Sequence, residues 1–546
     1  MTIIQSVRER PPTQGDHMLE SSVPGDTFLP PLGVNIRALL VWPSFPPSFW
    51  GFDAMLAILP EKAVLPPLGL LTVAALCPSH WELRLVDLAF DELRDDDLRW
   101  ASLVMVSAMH AQRADTVRTL ERARAFGIRT IIGGPFVSSQ PSFFQTLADH
   151  LVIGEPDDVF GKIAHDLEKG EAPHVYHIHD KPDLSRTPPP RFDLLKMDNY
   201  SSLSVQFSRG CPFQCEFCDI ITIYGRKPRT KPIERLMAEL DAIRVAGWRK
   251  QVFVVDDNFI GNHKRALEMA REMAAWQERH HHPFIFYTEA SIDLAQREEL
   301  IEAMVQANFF YVFIGVETPD AAALTEAKKF QNLRLDALEC IHFIQRRGLW
   351  VTAGFIVGFD CDTSDIFDRQ VAFIESAAIP WAMTGFLQAP PTTPLFERVR
   401  QEGRLIETSL ATSNFSPPNF VTRLPLLELL AGLRGMLLRI YDAETFCRRG
   451  LRALEYWNPR SHQHAPPVSF GYQVRVVLVS MWRQGVLGNY RKQYWEFLGQ
   501  LVGRWGRDRR KLYLGFVTLL SAQHFLCYAE EVVNEIETEI RAADKA

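Results

Sequence analysis

No stretch of the 546 residues holds the roughly 18 uninterrupted apolar side chains of a membrane-spanning helix. The nearest approaches, 474–481 and 512–520, are too short, so a soluble protein is expected. An excess of positive charge is missing too. With 59 Lys and Arg against 66 Asp and Glu the formal charge is −7, which offers nucleic acid no overall attraction but does not exclude a local basic patch. Cysteine is scarce. Eight in this length do not make a disulfide scaffold, and three of them fall within residues 211–218, which favours thiolates kept reduced for a metal and therefore the cytoplasm. The first 36 residues lack the apolar core of a signal peptide, because Arg8, Glu9, Arg10, Asp16, Glu20 and several prolines interrupt it; they read as a disordered leader. No internal repeat is present.

At 47% hydrophobic and 23% charged residues, what remains is an ordinary globular composition, and the length suggests about three or four folding units. Between residues 37 and 155, short apolar runs (38–42, 83–86, 103–106, 130–132 and 151–153) alternate with helix-like stretches. That alternation predicts an α/β unit with a parallel, doubly wound, Rossmann-like sheet. Several runs end in small or polar residues, among them Asp87, Ser107, Gly133, Gly134 and Gly154. In such sheets ligands bind outside the carboxyl ends of the strands, although glycine and proline there can equally do no more than end a strand.

Residues 156–200, rich in proline and without sustained periodicity, read as a linker. Over 201–406 six further strand candidates (203–208, 251–255, 284–287, 311–316, 352–357 and 382–387), with helical patterns between them, predict a partial (β/α)6 TIM-like barrel whose chemistry sits at the carboxyl ends of its strands. From 407 to 546 strand signals vanish, and helical runs at 424–441, 472–482, 490–502 and 512–537 predict a helical C-terminal domain.

The densest chemical signal is Arg209-Gly210-Cys211-Pro212-Phe213-Gln214-Cys215-Glu216-Phe217-Cys218-Asp219, directly after the first barrel strand. Three thiolates on one short loop suit a soft metal centre. Structural zinc is the competitor, but it wants four closed ligands and no fourth Cys or His lies nearby. A 4Fe-4S cluster held by three cysteines leaves one iron open.

The spacing C-x3-C-x2-C, with aromatic Phe217 before the last cysteine, resembles the signature of the radical S-adenosylmethionine (SAM) enzymes. By that resemblance Cys211, Cys215 and Cys218 are the metal ligands and the catalytic residues, the open iron chelates SAM, and one-electron reduction releases a 5′-deoxyadenosyl radical. The resemblance also implies cofactor-binding roles for Phe217, for Asp257 and Asn258 ending the second strand, for Glu289 ending the third, and for Glu317 ending the fourth as a ribose-binding carboxylate. Gly354 and Gly358 on the fifth strand would make room for adenine.

A doubly wound module before such a barrel, with Pro66-Pro67-Leu68-Gly69 and Gly133-Gly134-Pro135, looks like the cobalamin-binding domain of B12-dependent radical SAM proteins. Ser107, Gly133, Gly134 and Gly154 are then its cofactor-contact candidates. The Asp-x-His-x-x-Gly cobalt-ligand motif of many B12 proteins is absent, which implies base-off cobalamin; His110 reads as a structural histidine, not a ligand. The runs 208–213, 255–262, 287–291 and 354–360 resemble a subgroup with a helical C-terminal extension that includes methylases of hopanoid and bacteriochlorophyll precursors. One departure is Gln388-Ala389-Pro390-Pro391-Thr392-Thr393-Pro394, where relatives tend to have a Pro-Gly-Thr-Pro turn, so the substrate is not inherited.

Residues 471–511 carry nine Lys and Arg against two Asp and Glu, interleaved with Tyr472, Trp482, Tyr490, Tyr494, Trp495, Phe497 and Trp505. Three readings stand: a core-packed cap, peripheral contact with a membrane, or RNA stacking, with nucleic acid the least favoured. The resemblance implies a methyltransferase placing a methyl group on an unactivated carbon of a lipophilic or polycyclic small molecule, using SAM, the cluster, cobalamin and an electron donor such as flavodoxin or ferredoxin. The competing readings are a B12-dependent cyclase or rearrangement enzyme that transfers no methyl, and a non-catalytic cobalamin-sensing or RNA-binding protein.

Overall fold

A computed structural model describes residues 29–406, 413 and 415–543. Most of the expected leader, 1–28, lies outside the described residues, as does the boundary expected at 406/407 on its helical side. Residues 29–36, assigned to the leader from sequence, pack instead against the first sheet. Leu32 and Gly33 donate backbone hydrogen bonds to Leu167 and Glu168, and Ile36 is fully buried.

The first sheet holds β1 (Arg37–Trp42), β2 (Glu82–Asp87), β3 (Leu103–Ser107), β4 (Arg129–Gly133), β5 (His150–Ile153) and β6 (Val175–His177), all parallel in the order β2-β1-β3-β4-β5-β6. Alternate residues of β1 serve two cores, Ala38 and Leu40 on one face and Leu39 and Val41 on the other. Helices therefore cover both faces, and the strand reads as an unbroken apolar run. The order reverses between β1 and β3, the switch point where such sheets bind ligands.

The expected linker needs correction, because helix Phe160–Lys169 and strand β6 lie within it. Phe160, Ile163, Ala164 and Leu167 fall on one buried helical face, a period that the flanking prolines mask in the sequence.

The second sheet is a partial barrel. Its strands β7 (Ser202–Val205), β10 (Gln251–Val254), β11 (Ile285–Ala290), β12 (Phe309–Glu317), β13 (Trp350–Val357) and β14 (Ala382–Phe386) pair in chain order. The short β8 (Ser208–Arg209) and β9 (Arg229–Thr230) form a separate antiparallel ribbon beside it. β7 and β14 stay unpaired with each other, and aromatic side chains pack beside that opening. Phe49 and Phe52, from the segment after β1, meet Trp381, Tyr441, Phe525 and Tyr528.

The C-terminal helices include Leu426–Ile440, Ala443–Tyr456, Phe470–Ser480, Arg491–Trp505 and Arg509–Ala543; all but Phe470–Ser480 share one buried core with the barrel, and Val476 of that helix packs with Ile58 and Leu520 instead. The last of them is long and apolar enough to cross a membrane by length and composition, and 61% of its most apolar window is buried in the protein. Ser521 and His524 interrupt its apolar run, which is why the sequence rule passes over it. Both are satisfied inside the protein, Ser521 by Trp381 Nε1 at 2.7 Å and His524 by the Phe49 carbonyl at 3.2 Å.

Candidate active site

The three cysteines lie on the loop that leaves β8, and several long-range bonds fix that loop. Gly210 sits at φ 90°, where a Cβ would stand 2.7 Å from the Gly225 carbonyl oxygen. Its N–H donates to Asp257 Oδ2 at 3.2 Å, and the Cys211 N–H to Gly225 O at 3.2 Å. Glu216, between the second and third cysteines, is buried and takes a bidentate pair from Arg398 at 2.9 and 3.2 Å.

Two amides face the sulfurs: Asn258 Nδ2 is 3.9 Å from Cys211 Sγ and Gln331 Nε2 is 3.6 Å from Cys215 Sγ. Burial pushes the thiols of Cys211 and Cys218 up, so this pocket needs positive charge to hold thiolates. Three cysteine sulfurs on one loop, two of them faced by side-chain amides, form a donor set that fits a three-cysteine iron–sulfur cluster.

The ends of the barrel strands surround this loop with acids. Asp256 is fixed by Phe207 N–H at 2.8 Å and Ser208 Oγ at 2.6 Å, and burial raises it to about 7; Asp257 is raised to about 6, again chiefly by burial. Asn258 also bonds Ser291, at 3.1 Å to the hydroxyl. Glu317 lies at φ 64° and pairs with Lys329 Nζ at 2.5 Å. Burial alone would lower Lys329, but the charge of Glu317 beside it holds it raised.

Gly315 leaves room for this pair as it stands, because a Cβ there would crowd Glu317 Oε1 and Lys329 Nζ and make the two side-chain ends shift. Gly354 makes room for Phe313, whose Cζ would lie 2.9 Å from an added Cβ, and Gly358 is set by φ 107°; neither observation depends on an adenine. Phe217 packs edge-on to Phe359, with the Lys329 ammonium 5.9 Å from its ring. Thr392 occupies φ 73°, a region costly for a β-branched residue and natural for glycine.

Glu289 is the least satisfied of the acids, with no side-chain hydrogen bond among the described residues. Burial first, then the charges of Asp257 and Glu317, raise it from 4.5 to about 8. Between those values the folded protein keeps a proton that the unfolded chain has released, so stability falls as pH rises through that window. In cofactor-free protein, Glu289→Gln should therefore gain on wild type between pH 4.5 and 8, by up to about 1.4 kcal/mol per pH unit. Urea midpoints measured across pH test this, and parallel curves for the two proteins would refute it.

In the first sheet, Gly134 (φ 98°) and Gly154 (φ 102°) are demanded by the fold itself. A Cβ on Gly134 would lie 2.8 Å from Ser107 Oγ, and one on Gly154 would strike the Ile178 carbonyl, whereas Gly133 has ordinary clearance. His110 bonds Ser139 Oγ at 2.8 Å and packs on Phe136; burial and then Arg113 lower it to about 4, so it is neutral.

In the segments that follow β1 and β3, Phe45, Trp50 and Met109 leave large apolar side chains exposed. Trp50 also meets Phe313 of the barrel at 4.8 Å. The two mouths touch again where Arg209, two residues before Cys211, bridges Glu155 at 2.9 Å and Asp157 at 2.8 and 3.1 Å, both on the loop after β5. Sequence reading overlooked Lys329, Gln331, Asp157 and Trp50. None sits in a motif, and only Arg209, inside the cysteine segment, had a local signal.

Comparison with known proteins supplies the frame for this geometry. Residues 205–369 match the Radical SAM superfamily and 393–538 a domain of unknown function, DUF4070. The chain is 40% identical to an uncharacterised methyltransferase of Synechocystis over 93% of its length and 94% of the relative's. It is 34% identical to the hopanoid C-2 methylase of Rhodopseudomonas palustris over 91% and 94%. The fold is shared with TsrM, a radical SAM methyltransferase from Kitasatospora setae solved with cobalamin and a 4Fe-4S cluster bound. There the TM-score is 0.55 at 13% identity, covering 89% of this chain and 99% of that one. With a cysteine loop fitted for a cluster at the mouth of a partial barrel, and near-full-length kinship to the hopanoid C-2 methylase, the chain belongs to the radical S-adenosylmethionine superfamily.

Proposed function

We propose that this protein is a cobalamin-dependent radical SAM enzyme that methylates an unactivated carbon of a lipophilic, polycyclic small molecule. The observation that carries the reading is the abutment of two mouths: the loop after β5 of the doubly wound sheet is ion-paired to Arg209, directly before the cysteine loop of the barrel. When bound, the cluster supplies the electron that cleaves SAM to a 5′-deoxyadenosyl radical, and cobalamin supplies the methyl group.

The residues of the chain hold and orient. Cys211, Cys215 and Cys218 would ligate the cluster, with Asn258 and Gln331 supporting the sulfurs by hydrogen bonds. Phe217, Asp257, Asn258, Glu289, Glu317 and Gly354 would line the SAM side, with Glu317 offered to ribose hydroxyls. Ser107, Gly133, Gly134 and Gly154 would set the loops that hold a base-off cobalamin, with Phe45, Trp50 and Met109 offering apolar surface. Such positioning is what keeps a reactive radical on course.

The names of the relatives support the substrate class, since the hopanoid C-2 methylase aligns over nearly its whole length. An electron donor of the flavodoxin or ferredoxin type is proposed on the chemistry of the family, and peripheral contact with a membrane through 471–511 on the lipophilic substrate. The structure places Tyr490, Tyr494 and Phe497 of that stretch in the core and leaves Trp482 and Trp495 exposed.

The test is product analysis under anaerobic turnover. S-adenosylhomocysteine and 5′-deoxyadenosine should form together, each in step with methylated product. Formation of 5′-deoxyadenosine with no S-adenosylhomocysteine would instead establish a cyclase or rearrangement enzyme.

A further inference from the structure

The described residues expose twenty large apolar side chains, and nine of them fall between Phe470 and Val502. Five of those nine follow a strict four-residue step, Phe470, Val474, Leu478, Trp482 and Val486, along helix Phe470–Ser480 and the π turn Met481–Val486 that continues it. In an α-helix each step of four overshoots a full turn by about 40°. The wider π turn rotates less per residue and so returns Trp482 and Val486 toward the same side. The ridge is not a small lapse in packing, because Phe470 is 81% exposed and Leu478 and Trp482 are each 59% exposed.

The opposite side of the same helix is already satisfied. Val476 is packed with Ile58 and Leu520, and Ser480 bonds Tyr494 at 3.0 Å. The outward apolar face therefore contributes nothing to the core and costs exposure to water.

Its electrostatics indicate the occupant. Residues 470–495 contain no Asp or Glu, while Arg475, Arg483 and Arg491 stand exposed beside the ridge and no salt bridge engages them among the described residues. An apolar ridge flanked by unpaired arginines is complementary to a leaflet whose acyl region lies beneath anionic headgroups.

We infer that Phe470–Ser480 and the π turn after it form a docking ridge for a bilayer rich in anionic lipid, with Phe470, Leu478 and Trp482 entering the interface and the arginines meeting the headgroups. The purpose of the ridge rests on the lipophilic-substrate reading above, but its binding is measurable without turnover.

The experiment is cosedimentation of the reconstituted full-length protein with vesicles of phosphatidylcholine alone and of phosphatidylcholine and phosphatidylglycerol in equal parts. Binding should be strong only to the mixed vesicles and should weaken with salt. Leu478→Glu with Trp482→Glu should reduce it about tenfold or more, and Arg475→Gln and Arg483→Gln about fivefold each. These side chains are solvent-exposed, so an unchanged iron content and circular dichroism spectrum would establish that the variants fold. Absence of vesicle binding, or binding equal in variants and wild type, overturns the inference. So does a concentration-dependent dimer in the ultracentrifuge that Trp482→Glu abolishes while wild type ignores vesicles, which would assign the ridge to a second copy. Either failure leaves product analysis free to support methyl transfer, and failure of methyl transfer leaves the vesicle result standing.

Discussion

Cys215→Ala abolishes the formation of 5′-deoxyadenosine from SAM in anaerobically reconstituted protein and lowers its iron content with it. Cys361→Ala leaves both at wild-type levels. Cys215 is a buried cysteine faced by Gln331 Nε2 and sits on a loop pinned by Glu216 and Arg398, whereas Cys361 is exposed and lies outside that loop. Alanine removes the only atom at that position able to bind iron and leaves the supporting amide with nothing to support. A cluster with two cysteine ligands cannot be held as a three-cysteine cube, so the loss should reach the uncatalysed background rather than a partial rate. Chromatographic quantification of 5′-deoxyadenosine beside iron and sulfide analysis measures both effects. A Cys215→Ala protein that still cleaves SAM would remove the cysteine loop from the mechanism.

Lys329→Met destabilises the cofactor-free protein by about 3–5 kcal/mol, because it strands Glu317 as an uncompensated buried charge. The two side chains are each only 11% exposed and the pair is 2.5 Å long, so solvent can do little to screen what remains. Glu317→Gln alone should also be costly, for it leaves the ammonium without its carboxylate. The double variant Glu317→Gln with Lys329→Met should lose clearly less than the sum of the two, since neither charge is then left behind. Urea unfolding of the three proteins gives the coupling directly. Additive losses would mean that the pair is not an interacting unit, and would withdraw Lys329 from the charge balance of the site.

Much of this protein is legible without coordinates where the signal is local. The cysteines can be read because their spacing lies within eight residues of chain, and all five expected strands of the first sheet and all six of the barrel appear because buried parallel strands must be unbroken apolar runs. Residues 156–200 defeat that reading, since the short amphipathic helix and β6 there carry too few turns of period to stand out from their prolines. Helix Arg509–Ala543 defeats it for the opposite reason: Ser521 and His524 look like interruptions and are instead bonded within the core. The strained Thr392 shows how a turn noticed in the sequence becomes a stated backbone conformation only in three dimensions.

By itself, then, the amino-acid order determines the three-cysteine loop, the two α/β series and the helical end, because spacing and periodicity act over a few residues. Which charges meet is decided by the tertiary structure alone. Arg209 finds Glu155 and Asp157 some fifty positions back, Lys329 reaches Glu317 through a gap that Gly315 keeps open, and one face of helix Phe470–Ser480 is left to water. Each depends on how the elements are stacked, and no local pattern encodes a pairing whose partners are brought together only when the chain closes on itself.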